Sequence, residues 1–242
     1  MGIANWSFVS RMGFDWNAVV FTASIWVLPV LFAITLHEAA HGWVAWRLGD
    51  DTARRLGRVS FNPLRHIDPV GTVLIPAVLL FGSGGRMMFG FAKPVPVDFS
   101  RLHKPRRDMV LVAAAGPGSN ILLAIISALL MHGSILFDAD VQHWIMHNLV
   151  NSVWINLLLA VFNMLPLPPL DGGRVAVGLL PPELARQLAR VERVGMIIIL
   201  AALFILPWIG GKMGFDLNIF LWLIGEPTAY LMDLVFSLTG VR

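Results

Sequence analysis

The sequence predicts an all-α polytopic membrane protein with five to six transmembrane helices, and three observations support that class. Of its 242 residues, 57% are hydrophobic and only 14% are charged, which leaves too little polar surface for a water-soluble domain of this size. Nine tryptophans stand against one tyrosine, and indole rings are common anchors at membrane interfaces. Several apolar segments also approach the roughly 20 residues that a helix needs to cross a bilayer.

The segments that we expect to cross are separated by polar or proline-rich stretches. The first ends at a polar run that begins with Arg47, and the third ends where a proline-rich stretch begins. In chain order, the predicted spans are residues 19–46, 109–131, 144–165, 194–209 and 219–236.

A shorter apolar run, residues 70–81, contains Pro76. This run is too short for an ordinary crossing, so we expect a re-entrant or interfacial segment. The preferred topology has five crossings, with residues 70–81 not crossing the membrane. Six crossings is the alternative.

We expect one membrane-embedded domain over residues 1–242. Its core covers about residues 19–180, and residues 190–238 form an accessory C-terminal helix pair. The sequence contains no cysteine, which excludes disulfides and thiolate metal sites.

The charge distribution orients the chain. With the N-terminus outside and residues 70–81 not crossing, all of the 18 lysines and arginines except Arg11 and Lys212 lie on the inner side. Cytoplasmic loops carry such an excess of cations. The net charge of +3 therefore indicates membrane topology rather than nucleic-acid binding, because no basic stripe with interleaved aromatic residues occurs.

An ionisable cluster, His37-Glu38-Ala39-Ala40-His41, lies inside the first apolar segment. Ionisable groups at membrane depth cost at least about 2.5 kcal/mol each, so they indicate function. Residues four apart lie on one helix face, which directs both imidazoles to one point where a zinc ion can bind. Glu38 lies beside the histidines without being a ligand. A polar packing cluster or a proton relay is the alternative.

A catalytic zinc ion requires a third protein ligand. His66 lies in a loop on the inner side, where a loop histidine without a metal role is the simpler interpretation. Asp171 follows the proline-rich residues 163–170 and precedes Gly172 and Gly173, which permit a close approach of another backbone. An ordinary turn also suits this pattern, but the inner-side location shared with the histidine pair favours Asp171 as the ligand.

These residues resemble the site-two protease family of intramembrane zinc metalloproteases, in the compact form without an inserted peptide-binding domain or an appended nucleotide-sensing domain. The resemblance covers about residues 30–180, and the remaining apolar segments leave no room for either extra domain. The residues that carry the resemblance are 37–41, 115–120 and 163–173, with residues 62–71 and 90–97 similar to the compact branch.

The resemblance implies a membrane-embedded zinc endopeptidase that hydrolyses peptide bonds in or near transmembrane segments of other membrane proteins. It implies one zinc ion per chain, bound by His37, His41 and Asp171. It further implies that Glu38 is the general base and that Asn163 helps to hold the substrate backbone.

The alternation of prolines and valines in residues 93–97 suggests a further contact with substrate. A substrate helix must become extended before its carbonyl groups can react, and an extended peptide can pair with a strand edge. Lys93, Pro94 and Val95 are therefore candidate substrate-binding residues on a short membrane-associated β-strand. A plain interfacial loop is the equal alternative.

Two other functions compete with proteolysis. A transporter or channel also uses buried charges, although no internal repeat is evident. A catalytically silent homologue that binds membrane proteins has no need of Glu38. We expect the partners to be a transmembrane substrate and the lipid bilayer, in a prokaryotic cell membrane, with the active site towards the cytoplasm.

Overall fold

The computed structural model describes residues 16–75, 78, 90 and 92–241. Over these ranges the regular elements are helices, and no β-strand occurs. The α-helices are α1 (Trp16–Arg47), α2 (Thr52–Arg55), α3 (Pro105–Met131), α4 (Ala139–Asn163), α5 (Asp171–Leu179), α6 (Pro182–Leu200), α7 (Leu206–Met213) and α8 (Glu226–Thr239). Single turns of 3₁₀-helix occupy Pro63–Arg65, Phe99–Arg101 and His132–Leu136, and π-helical turns occupy Pro69–Leu74, Ala201–Ile205 and Leu221–Gly225.

Four helical stretches are long and apolar enough to cross a membrane, which confirms the predicted all-α membrane class. The fourth contains the predicted residues 194–209, whereas the helical stretch that includes α8 is not among the four. A total of five to six crossings therefore stays a prediction. The four stretches are Val19–Arg47, Pro105–Leu136, Ala139–Asn163 and Pro182–Met213.

Helices α1, α3 and α4 pack against one another and form the centre of the bundle, with α5 against α3 and α8 against α4. Alanine is frequent at these contacts, because small side chains let helix backbones approach closely where lipid gives no hydrophobic driving force between helices. The alanines that are at most 3% exposed on the three helices are Ala33, Ala45, Ala113, Ala124, Ala128 and Ala160.

Helices α3, α4 and α6 begin earlier than their apolar segments predict, and local features of the first turn explain the starts of α3 and α4. Helix α3 starts at Pro105, a residue suited to the first helical position because its missing N–H has no partner there. Helix α4 starts at Ala139, where the Asp138 carboxylate accepts a 3.1 Å hydrogen bond from the Val141 N–H. Pro105 at the first helical position of α3 and the Asp138 cap of α4 favour these starts, and hydropathy does not register the polar first turns.

The beginning of the predicted re-entrant segment is a π-helical turn, Pro69–Leu74. Asp68 caps this turn by accepting hydrogen bonds from the Val70 and Gly71 N–H groups at 3.0 and 2.7 Å. Residues 76, 77 and 79–81 lie outside the described residues, so the re-entrant path stays a prediction.

The predicted β-strand at residues 93–97 is wrong as a paired element: this segment is extended but belongs to no sheet in the described part of the chain. Its hydrogen bonds go elsewhere. The Lys93 N–H donates to the His66 carbonyl at 2.9 Å, and the buried Arg58 guanidinium donates to the Lys93 carbonyl at 2.6 Å. Pro94 and Pro96 have no N–H to donate, so little of the segment's donor capacity is left for a strand neighbour.

The proline-rich connection after α4 places the start of α5 beside the central helices. A Cβ atom added to Gly172 would collide with the backbone carbonyl groups of Met164 and Leu165, and one added to Gly173 would collide with the backbone at Pro168. The two glycines therefore allow the close approach that the sequence predicts. This packing holds Asp171, the first residue of α5, against the bundle.

Candidate metal centre

The imidazoles of His37 and His41 meet on one face of α1, as their spacing predicts. Their Nε2 atoms lie 3.1 Å apart, and both residues are buried. The ring planes are nearly perpendicular, at 85°, so the two imidazoles do not stack on each other. Their Nε2 atoms are nevertheless close enough to share one ligand position.

Asp171 completes a three-residue group with this pair. Its Oδ2 atom lies 3.2 Å from the His37 Nε2 and 3.3 Å from the His41 Nε2. Two helices far apart in sequence, α1 and α5, therefore present three ligand-type atoms to one point. These three residues are the only group of at least three metal-ligating side chains so arranged within the described ranges.

The dimensions and chemistry of this group fit a zinc ion. Ligand atoms around a tetrahedral zinc ion with bonds of about 2.0 Å lie roughly 3.3 Å apart, close to the three separations of 3.1, 3.2 and 3.3 Å. The Asp171 Oδ2 is also a buried atom without a geometrically sound hydrogen bond. Two imidazoles and one carboxylate are ligands that catalytic zinc sites use.

An oxygen acceptor bonds the Nδ1 atom of each histidine ring and so fixes the ring's orientation. The His37 Nδ1 lies 2.6 Å from the Asn120 Oδ1, and the His41 Nδ1 lies 2.7 Å from the Val112 carbonyl oxygen. Because these oxygens can only accept, each neutral ring carries its proton on Nδ1. The lone pair is thereby left on Nε2, the atom that faces Asp171.

Glycine at position 116 makes room for the rings. A Cβ atom there would lie 2.6 Å from the His37 Cε1 and closer still to the His41 Nε2. By contrast, a Cβ at Gly118 would meet nothing within 4 Å. The absence of a side chain at Gly116 therefore lets α3 lie close to the histidine-bearing helix.

Glu38 belongs to the same cavity but not to the ligand-type group. Its Oε2 accepts a 2.7 Å hydrogen bond from the Val95 N–H. This bond joins α1 to the extended segment 93–97, so two regions that the sequence analysis singled out separately are in direct contact.

A cavity of about 150 Å³ opens beside the ligand-type group. Pro94, Val95 and Asn163 line it, whereas Lys93 is exposed and is not among its lining residues. The Asn163 side-chain amide donates to the Leu159 carbonyl of its own helix at 3.0 Å. The backbone of Lys93 bonds His66 and Arg58, which lie outside the cavity lining.

The other histidines do not join the metal-type group. His66 is 2% exposed and bonds the Ser60 carbonyl through Nε2 at 3.0 Å, consistent with a packed loop histidine. His143 and His147 form a second pair with Nε2 atoms 3.1 Å apart. No carboxylate completes that pair among the residues with described side chains.

Sequence reasoning did not identify three contributors to the site. Asn120 belongs to a motif that the sequence analysis used only for its resemblance, and its contact with His37 spans 83 positions. The Val112 contribution is a backbone carbonyl, which has no side-chain signature. Arg174 lines the cavity and stacks over the Phe99 ring at 5.2 Å. A lone asparagine in an apolar span was the one available signal.

Comparison with known proteins yields several matches. The profile of peptidase family M50 matches residues 134–206. The chain is 40% identical over 191 residues to the "putative zinc metalloprotease" YwhC of Bacillus subtilis, a match that covers 75% of this chain and 80% of that protein. It is 31% identical over 192 residues to a relative of the same description, Rip2 of Mycobacterium tuberculosis, covering 78% of this chain and 71% of the relative.

A shorter match links the chain to the regulator of sigma-E protease RseP of Salmonella typhimurium. The identity is 31% over 113 residues, which is 46% of this chain and 24% of the longer protein. No solved structure matches the chain.

Proposed function

The chain belongs to peptidase family M50 and is a zinc metalloprotease of the site-two protease type, and we propose that it hydrolyses peptide bonds in or near the transmembrane segments of other membrane proteins. The location of the histidine pair supports this substrate class most strongly. His37 and His41 lie within the span that ends at Arg47, about 15 and 9 Å from that end at 1.5 Å per residue. A site at that depth is accessible to a peptide bond that is itself within or beside the bilayer.

His37, His41 and Asp171 are the proposed ligands of one zinc ion per chain. Their mutual distances and the two Nδ1 hydrogen bonds support this assignment. When bound, zinc supplies Lewis-acid chemistry, lowering the pKa of water and polarising a carbonyl group. Burial of the ligands within the bundle preserves their geometry and keeps bulk water away.

Glu38 is the proposed general base. Its carboxylate lines the cavity beside the ligand group, and the Val95 N–H fixes one of its oxygens. The carboxylate accepts the proton of the attacking water and returns it to the leaving amine. A catalytically silent homologue would have no use for a carboxylate in this position.

The extended segment and the end of α4 are the proposed substrate contacts. Pro94, Val95 and Asn163 line the cavity, and Lys93 lies next to them in the chain. An unwound substrate would lie along residues 93–97, with the Asn163 side chain in the same cavity. Deleting residues 94–97 and finding unchanged cleavage would remove this part of the proposal.

The proposed location is a prokaryotic cell membrane, with the site towards the cytoplasm. The distribution of cations supports this orientation. Because the chain has no cysteine, Ser100→Cys and Asp138→Cys can each be labelled alone in intact cells. We expect the two to be labelled from opposite faces, and labelling from the same face would contradict the topology.

Reconstitution tests the proposed activity. The purified protein in liposomes is given a single-span membrane protein, and mass spectrometry locates the cut. We expect cleavage in or beside the span by the parental protein. The Glu38→Gln variant should retain zinc but cleave at least about 100-fold more slowly, as expected for loss of a general base. Equal cleavage by this variant, or cleavage confined to a water-soluble peptide, would contradict the proposal.

A further inference from the structure

A line of polar side chains runs through the bundle from His37 into α4 and back to α3. Asn120 donates through Nδ2 to the Asn156 Oδ1 at 2.8 Å. Asn156 donates through its own Nδ2 to the Ser152 carbonyl at 2.8 Å. The Ser152 hydroxyl then lies 2.8 Å from the Ser127 hydroxyl on α3.

The two asparagine amides are buried where polar groups are costly. Asn120 is 0% exposed and Asn156 is 1% exposed, in two stretches apolar enough to cross the membrane. A buried amide in such surroundings must find partners within the protein. In membrane proteins such residues indicate function by default, and the proposed hydrolytic steps use neither Asn156 nor the two serines.

The hydrogen bonds dictate the orientation of each amide. The Asn120 oxygen accepts from the His37 Nδ1, and its nitrogen donates to the Ala33 carbonyl at 3.1 Å as well as to Asn156. Rotating the Asn156 amide by half a turn would place its NH₂ against the NH₂ of Asn120. The Ser152 carbonyl, which can only accept, opposes this rotation. The Ser152 carbonyl therefore fixes the orientation of the Asn156 amide. The Asn156 amide in turn helps to fix the Asn120 amide, whose oxygen bonds the His37 imidazole.

We infer that Asn156 is a positioning residue for the metal centre. Acting through Asn120, it keeps the acceptor oxygen on the His37 Nδ1 and so keeps the His37 Nε2 directed at the ligand position. This inference rests on the proposed role of His37 as a zinc ligand. Groups that orient a metal-bound histidine from outside typically change metal affinity by about 10- to 100-fold when removed.

The same helix offers a matched control. Asn151 also lies on α4 and also bonds α1, donating to the Ile25 carbonyl at 3.0 Å. This bond joins the two helices, and no hydrogen bond among the described residues links Asn151 to the Asn120 line or to the histidines. Asn151→Ala and Asn156→Ala thus each remove one asparagine from α4, but only the second removes a partner of Asn120.

The test is zinc affinity, measured by chelator competition on the full-length protein in detergent. We expect Asn156→Ala to weaken zinc binding by about 10- to 100-fold and Asn151→Ala to change it by less than about 3-fold. Asn156→Ser is the second variant, because its hydroxyl can bond back to its own helix and allow folding, yet it is too short to reach Asn120. It should weaken zinc binding as the alanine does.

A second measurement separates positioning from general stability. Nitrogen NMR of the zinc-free protein reports which His37 nitrogen carries the proton, and we expect the Nδ1–H form to lose population in both Asn156 variants. Unchanged zinc affinity in both Asn156 variants, or equal losses in the Asn151 and Asn156 variants, would overturn the inference. His37→Ala tests the premise separately: if it leaves zinc affinity unchanged, the proposed ligand set fails, whatever Asn156 does.

Discussion

The Glu38 carboxylate accepts a 2.7 Å hydrogen bond from the backbone N–H of Val95. The first residue lies on a membrane-spanning helix and the second on an extended segment 57 positions away. A hydrogen bond therefore links the proposed base directly to the proposed substrate-binding segment. Movement of the segment would change the environment of the carboxylate, and the bond should be needed for full activity.

Removing the Val95 N–H should reduce cleavage without removing zinc. Val95→Pro eliminates this donor, and a hydrogen bond to a charged group contributes about 1.5–3 kcal/mol, so we expect cleavage to slow by roughly 10- to 100-fold. Val95→Ala keeps the N–H and is the control. The measurement is the cleavage rate per zinc-loaded chain. Equal rates for the two variants would show that the bond has no part in the reaction.

Asp171 and His66 can be compared directly as candidate third ligands. We expect Asp171→Ala to reduce bound zinc at least about tenfold, because two histidines alone make an incomplete site. His66→Ala should leave zinc content near one ion per chain, since His66 bonds the Ser60 carbonyl and not the histidine pair. Metal analysis after dialysis checks both. Loss of zinc in the His66 variant alone would require a different ligand set.

Gly116 and Gly118 give a test of packing at the centre. Gly116→Ala places a methyl group against both imidazoles, and overpacking of this kind typically costs about 1–3 kcal/mol. We expect weaker zinc binding and a lower unfolding temperature. Gly118→Ala meets nothing within 4 Å and should behave as the parental protein in both measurements. Equal zinc affinity in the two variants would show that the close approach at Gly116 does not matter for the site.

Asp50 should make the free energy of unfolding depend on pH in the acid range. Burial raises the pKa of its carboxyl, but hydrogen bonds from the Thr52 hydroxyl and from the Asp98 and Thr52 N–H groups, together with Arg101, outweigh that effect and leave the pKa below its ordinary value. The resulting stabilisation is complete above the unfolded pKa of about 3.9. It is lost as pH falls through the lower, folded pKa.

Thermal unfolding as a function of pH measures this contribution. At neutral pH we expect Asp50→Asn to lower the free energy of unfolding by about 1–3 kcal/mol and to flatten the acid limb of the profile. The control is Asp51→Asn, because Asp51 is 30% exposed and forms ion pairs with Arg55 and Arg101. Such surface pairs contribute about 1 kcal/mol or less. A steeper acid limb in the Asp50 variant would contradict the assignment.

Local patterns explain what could be predicted from the sequence. The spacing of His37 and His41 fixes their common face because a helix repeats every 3.6 residues, and no distant contact is needed for that conclusion. The prolines and glycines around Asp171 indicate a broken chain that approaches another backbone closely, and Gly172 does so. Long apolar segments likewise indicate the membrane class without tertiary information.

The remaining features depend on contacts between distant parts of the chain. The Asn120 oxygen behind His37 and the Val95 N–H on Glu38 come from segments 83 and 57 positions away. Alternation of prolines and valines at residues 93–97 was compatible with both strand and loop. The structure has an extended segment there because its backbone bonds are made with Arg58, His66 and Glu38.

The zinc ligands are tested most directly by a zinc-edge anomalous difference map from crystals of the zinc-loaded protein. We expect one strong peak per chain, bonded by the His37 Nε2, the His41 Nε2 and one Asp171 carboxylate oxygen at about 2.0–2.2 Å. A sole peak at His143 and His147, or a peak at His37 and His41 with His66 in place of Asp171, would contradict it.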